Sequence, residues 1–226
     1  MNEIEWGLLF NPQLAIESFP YVLSGIWYTL LISLGSMAAG LVIGFFLALA
    51  RTSGIAPLRW FARLYISFMR GVPILVILFL LYFALPIIGL ELTALQAALI
   101  GFSVNSAAYM AEILRASLAS VDRGQWESAQ ALGLTYWQIM RRIIVPQAVR
   151  IAIPPLSNVL LDLIKASSLA AMITVPEIFN KARIIGAREF DLLTLLIVAS
   201  LIYWGICSAM TVLQNYLERR FEEYLR

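Results

Sequence analysis

The sequence predicts an all-helical, polytopic membrane protein, and three observations carry that prediction. The chain of 226 residues is 61% hydrophobic and only 13% charged, whereas soluble domains average about 45–50% apolar and about 25% charged residues. Runs almost free of charge recur at lengths that match the roughly 20 residues needed to cross the hydrocarbon core. The basic residues crowd into alternate connections between those runs, as the positive-inside bias of membrane proteins requires. A net charge of +2 leaves no broad basic surface for nucleic acid. Histidine is absent and Cys207 is the sole cysteine, which excludes an internal disulfide, a Cys/His zinc site and histidine proton relays.

The spans fall at about 19–50, 61–86, 92–116, 150–172 and 192–217. The stretch before the first carries Glu3, Glu5 and Glu17 but no basic residue. It lacks the positive n-region of a signal peptide and is expected to be retained. Gly71-Val72-Pro73 interrupts the second span, because proline removes a backbone donor and kinks or breaks a helix. Pro86, Gly89 and Glu91 separate the second span from the third. Pro176 and the charges from Glu177 to Asp191 separate the fourth from the fifth, and Thr174-x-x-Glu177 reads as a helix start there.

An odd number of crossings puts the termini on opposite sides. Arg51, Arg59, Arg63, Arg70, Arg115, Arg123, Arg141, Arg142, Arg150, Arg219, Arg220 and Arg226 lie in or beside one set of connections. Only Lys165, Lys181, Arg183 and Arg188 lie near the other. Twelve against four places the N-terminus outside and the C-terminus in the cytoplasm. Residues 1–226 are expected to form one transmembrane domain, with a cytoplasmic loop at 120–149 inside it. Five helices do not divide into two equivalent halves, so a central pathway of the kind transporters build between repeats needs a second copy or a close relative.

That cytoplasmic loop, WESAQALGLTYWQIMRRIIVP at 126–146, is polar and helical where a plain connector would do. Asp122 with Gln125, and Thr135 with Gln138, resemble two capping boxes about thirteen residues apart. Gly133, just before the second, suits a left-handed helix end, and Pro146 is expected to limit the second helix. Trp137, Met140 and Ile144 make an apolar stripe with Arg141 and Arg142 turned away, and Trp126, Ala129 and Leu132 make another. An interfacial connector, a helix-turn-helix and a docking helix for a cytoplasmic protein all fit two helices around a glycine. The missing basic cluster counts against the second.

Ionisable groups within spans are costly and mark functional candidates. Asp162 lies eleven residues beyond Ile151, about 16 Å along the helix and so near the bilayer midplane. Asn158, Asp162 and Lys165 share a face, and Asn105, Tyr109 and Glu112 form a second stripe. Asn105, Asn158, Asp162 and Lys165 are the candidates for substrate binding or gating. The midplane pair offers complementary groups to an amino acid zwitterion, or it neutralises itself and only holds helices together. Glu112 either joins the pathway or pairs with Arg115 or Arg70.

At the loop the residues become recognisable. Glu127, Ser128 and Ala129, then Gly133, Ile143 and Val145-Pro146 match the spacing E-A-A, three residues, G, nine residues, I-x-L-P. That pattern resembles the loop motif of binding-protein-dependent ABC importer permeases, with Ser128 and Val145 as conservative departures. RLYISFMRGVPILV, NSAAYMAEILRASLASVDRGQWESA and VPQAVRIAIPPLSN resemble the polar amino acid branch. RWFARLYIS, RGQWE and PPLSN with SSLAA are most similar to cystine-type permeases.

The resemblance implies a type I importer permease in a bacterial cytoplasmic membrane, with a five-helix core that works as a dimer by alternating access. It implies two ATP-binding cassette ATPase subunits that hold ATP and Mg, an extracytoplasmic amino-acid-binding protein, and no cofactor in this chain. The loop is then the coupling helix, with Glu127, Ser128, Ala129, Gly133, Trp137 and Pro146 serving the ATPase contact. The outward loop at 174–191 serves either as a gate and landing surface for the binding protein or as a solvated connector. Some members that carry basic amino acids have acidic residues at positions matching Val159 and Ala166, both apolar here, which argues against arginine or lysine as substrate. Many relatives have threonine where Val72 stands, so no hydroxyl contact is expected there.

No phosphate-gripping G-x-x-x-x-G-K-[ST] occurs, and the only two lysines, Lys165 and Lys181, follow isoleucine and asparagine. Energy must therefore come from a partner, or from an ion gradient if the chain is instead a secondary carrier or channel. A scaffold that recruits a cytoplasmic protein through the loop is the remaining class.

Overall fold

The computed structural model describes residues 10–222, with side chains described through 216. Glu3, Glu5 and Arg226 lie outside the described residues, as do the side chains of Arg219 and Arg220. The helices are α1 (Pro12–Leu23), α2 (Ile26–Thr52), α3 (Ala56–Gly71), α4 (Ile74–Phe79), α5 (Ala94–Ala119), α6 (Arg123–Ala131), α7 (Tyr136–Ile139), α8 (Val145–Ala166), α9 (Ile178–Arg188) and α10 (Leu192–Glu222). A π turn (Leu80–Ala84) and a 3-10 turn (Leu85–Ile88) extend α4, a second π turn (Met140–Ile144) joins α7 to α8, and a 3-10 segment (Ser167–Ile173) extends α8. No strand occurs among the described residues. The fold is all-α, with four helical runs long and apolar enough to cross a membrane and a fifth if the broken pair Ala56–Gly71 and Ile74–Ile88 is one span.

The described residues fall into two compact units, one running up to residue 36 and including 74–102 and 161–211, the other of 37–73, 103–160 and the helix from 212. In the first, α1, α9 and α10 share a core of Ala15, Val22, Ile178, Ala182, Ile185, Leu195, Val198 and Ile202. Asn11 caps α1, its Oδ1 accepting from Leu14 N at 3.1 Å while its own N–H donates to Thr194 Oγ1 at 2.9 Å. The first span begins at Ile26 rather than near residue 19, because α1 ends at Leu23 and a turn at Ser24 and Gly25 separates the two. Gly25 is there for close approach: a Cβ would stand 2.5 Å from Ile178 N and 2.6 Å from Glu177 C.

In the second unit, α3 lays Ala62 and Ile66 against Leu47, Ala48, Ala50, Ala107, Ala108 and Ala111. Small residues let these backbones approach; a Cβ on Gly44 would lie 2.9 Å from Ala107 O. The helix stops at Gly71, as the proline predicts. Pro73 has no N–H for Met69 O, and Asn105 Nδ2 donates to that carbonyl instead, at 2.7 Å. Tyr65 reaches the same neighbouring helix and donates its hydroxyl to Val104 O at 2.8 Å.

Candidate functional site

The elbow is built on a second core in that unit, formed by Val121, Ala129, Ile139, Ile144 and Ala148 with Trp126, Leu134 and Met140 packed against it. Asp122 caps α6 through Oδ1, which accepts from Gly124 N at 2.6 Å. Gln125 does not complete a box: its Oε1 accepts from Gln147 Nε2 at 3.3 Å. At the far end Gly133 takes φ +74°. Gly133 N donates to Gln130 O and Leu134 N to Ala129 O, at 2.9 and 3.2 Å, the paired bonds of a Schellman stop. Thr135 N then donates to Gln138 Oε1 at 2.9 Å, so the second helix start is where the sequence put it.

Two expectations for the second elbow helix need correction. Trp137 does not share an inward stripe with Ile144; it is 78% exposed, while Ile139 and Ile144 are buried. The π turn at Met140–Ile144 widens the helix, so the inward residues recur at a spacing of five instead of three and four. Nor does Pro146 end the helix, which runs on from Tyr136 to Ile173. Proline is tolerated at the first turn of α8, and the widened turn immediately before it absorbs the missing hydrogen bond.

The result is a rigid turn with an apolar outer surface. Leu132, Tyr136 and Trp137 are all exposed, and the Tyr136 ring is flanked by Trp126 at 5.9 Å and Trp137 at 5.8 Å between centroids. Glu127 and Ser128 are exposed on α6, while Ala129 is buried beneath.

The midplane candidates separate. In the first unit Lys165 Nζ lies 2.9 Å from Asp162 Oδ1, with both side chains mostly exposed at 60% and 74%. In the second unit Asn158 is exposed and makes no hydrogen bond among the described residues. Asn105 is occupied by Met69 O, as described above. Glu112 accepts from Arg115 Nη2 at 3.1 Å and pairs with Arg51 at 3.0 Å. Arg70 instead lies over the Tyr109 ring, 5.5 Å from its centroid.

The sequence did not single out Glu177 as a buried group. It is the N-cap of α9 itself, accepting from Phe179 N at 2.9 Å and Asn180 N at 2.6 Å. Thr174 is not the cap; it ends the preceding 3-10 segment at φ +70°. The Glu177 side chain is fully buried and also accepts a hydrogen bond from the Tyr203 hydroxyl. Burial pushes its carboxyl above the usual range, against the pull of those three donors and the nearby Arg183. The segment after the fourth span is therefore a packed helix and not a solvated connector. A tyrosine within an apolar run was the one available signal, since a buried phenol needs a partner.

Several helices long and apolar enough to cross a membrane, a stiff amphipathic elbow and a charge pair exposed within a span define a multi-spanning membrane transport component. The chain belongs to the family of binding-protein-dependent transport system inner membrane components, whose family model matches residues 40–223. It is 65% identical over 225 residues to the probable amino-acid ABC transporter permease protein YckA of Bacillus subtilis (strain 168), covering 100% of both chains. It is 43% identical to the L-cystine transport system permease protein TcyB of the same organism, over 94% of this chain and 92% of the relative. Its fold superposes with a TM-score of 0.87 on a chain from the crystal structure of an amino acid ABC transporter with histidines, at 33% identity over 91% of this chain and 96% of that one.

Proposed function

We propose that the protein is the permease subunit of an ATP-driven amino acid importer that carries cystine or a similar polar amino acid by alternating access. Family membership and full-length similarity to a probable amino-acid ABC transporter permease support the class, and 43% identity to an L-cystine permease supports the substrate. The N-terminus faces outward and the elbow faces the cytoplasm, by the bias of the basic residues. Two ATPase subunits, which bind ATP and Mg, a second permease copy or paralogue and an extracytoplasmic binding protein complete the machine.

The observation that carries the energy-coupling part is the exposed Leu132, Tyr136 and Trp137 surface on a turn whose underside is fully packed. Such a turn moves as one body, so a displacement imposed by a closing ATPase pair passes into the span that follows. Glu127 stands exposed at the rim, ready for a basic group on the ATPase. Asp162 and Lys165 form a polar part of the pathway, because an exposed ion pair within a span is costly against lipid and favoured against water or a partner subunit. Asn105 holds the break in the second span through its bond to Met69 O.

The test is ATP hydrolysis by the complete transporter in nanodiscs, with and without binding protein and a panel of amino acids that includes cystine. Stimulation by one loaded binding protein, abolished by Gly133→Asp or Glu127→Lys with assembly intact, is the expected result. Asp162→Ala lowers uptake without loss of assembly. Transport driven by an ion gradient in the absence of any ATPase would overturn the importer reading.

A further inference from the structure

Helix α3 carries positive charge that no acidic side chain among the described residues balances. From Ser18 to Leu90 the sequence holds no aspartate or glutamate, while α3 has Arg59, Arg63 and Arg70. Glu112 is already committed to Arg51 and Arg115, and Arg70 rests over Tyr109. Arg59 donates through Nη1 to Ser53 O at 3.3 Å, which fixes it over the start of the helix. Arg63, one turn on, is exposed and has no hydrogen bond or ion pair among the described residues.

Between these two arginines is a recess of about 400 Å³ lined by Ala56, Pro57, Arg59, Trp60 and Arg63, with no acidic side chain in its wall. Trp60, at 67% exposure, stands at its edge, and Leu64, one helical turn on from Trp60, extends that flank as exposed apolar surface. The opposite face is sealed by Ala62 and Ile66. A phosphate-sized anion in the recess thus has an apolar flank beside it, formed by Trp60 and Leu64.

We propose that the recess at the start of α3 binds the phosphate of an anionic phospholipid, with Arg59 and Arg63 on the headgroup and Trp60 and Leu64 against the start of an acyl chain. Side chains four apart on a helix are neighbours, about 5–6 Å between Cβ atoms, so both guanidinium forks reach one phosphodiester. Tryptophan prefers the level where headgroup meets hydrocarbon, and basic clusters at the cytoplasmic end of spans attract anionic headgroups. A choline headgroup would bring its own cation against the guanidinium groups, so the site selects for net negative lipid.

The full-length purified chain, offered equal amounts of phosphatidylglycerol and phosphatidylcholine, is to be examined by native mass spectrometry, reading the ratio of the two in the first bound lipid. The expected ratio favours phosphatidylglycerol roughly tenfold or more, with each arginine contributing about fivefold. Arg63→Gln, which removes an exposed group with no partner and so leaves folding intact, lowers the ratio about fivefold. Arg59→Gln with Arg63→Gln brings it near parity, and Arg63→Lys retains most of it. A ratio unchanged in Arg63→Gln overturns the proposal, as does an equal fall in an Arg141→Gln, Arg142→Gln variant, which would mean general charge attraction. Displacement of the lipid by millimolar inorganic phosphate would mark a small-anion site instead. Parity in the wild type, with α3 shielded in a dimer of the chain, would assign the recess to a second copy.

Discussion

Glu177 offers the sharpest test of how the outer helix α9 is held. Replacing it with alanine removes the acceptor of Phe179 N, Asn180 N and the Tyr203 hydroxyl in a fully buried position. The phenol can rotate, but the two backbone donors cannot, and each buried donor left without a partner costs about 1–3 kcal/mol. The expected loss is about 3 kcal/mol, which for a chain of this length lowers the unfolding midpoint by roughly 10 °C. Cys207 is the only cysteine and is partly buried, so a thiol-reactive fluorophore added during heating reports unfolding from a single known position.

Glu177→Gln separates charge from hydrogen bonding, because it keeps one acceptor oxygen and cannot ionise. Burial raises the Glu177 carboxyl in the folded protein, so the folded state holds the proton more tightly than the unfolded state. Its contribution to stability is therefore fully present below the unfolded carboxylate range and is lost as pH rises through the folded value. The midpoint of the wild type relative to Glu177→Gln should climb as the pH is lowered from neutral. A Glu177→Ala protein as stable as the wild type, or a difference that moves the other way with pH, would refute the reasoning.

Two further substitutions probe the packing. Gly25→Ala places a Cβ 2.5 Å from Ile178 N; backbone cannot yield as a side-chain tip can, so a sharp fall in monodisperse protein on size-exclusion chromatography is expected, and wild-type yield would count against the close approach. Asn105→Leu leaves Met69 O without its donor at a cost of about 1–3 kcal/mol; the unfolding midpoint should fall while uptake per folded transporter holds, and a loss of uptake with unchanged stability would make Asn105 a pathway residue.

The fold class was open to reading because lipid imposes a composition, and apolar runs survive any detail of packing. Gly133 was legible for a similar reason: a positive φ is a local demand that one residue type meets cheaply. The start of the first span was not, since the break at Ser24 and Gly25 follows from contact with Ile178, over 150 residues away. The inward stripe of the elbow escaped because the π turn changes the period on which such stripes are read. Gln125 and Glu177 each looked like the second half of a capping box, yet one turned to Gln147 and the other became the cap itself. In both cases a local pattern was overridden by a partner distant in sequence.

The hydrogen bond from Asn105 to Met69 O ties two positions together in inheritance. Pro73 creates a carbonyl in want of a donor, and residue 105 supplies it from another helix. Any drift at 105 to a side chain without a donor is penalised only while Pro73 remains, so loss of the proline first makes the asparagine dispensable, whereas loss of the asparagine first leaves a debt in the interior. The order in which the two substitutions can accumulate is therefore set by chemistry: the break in the second span is easier to abandon from the proline side than from the asparagine side.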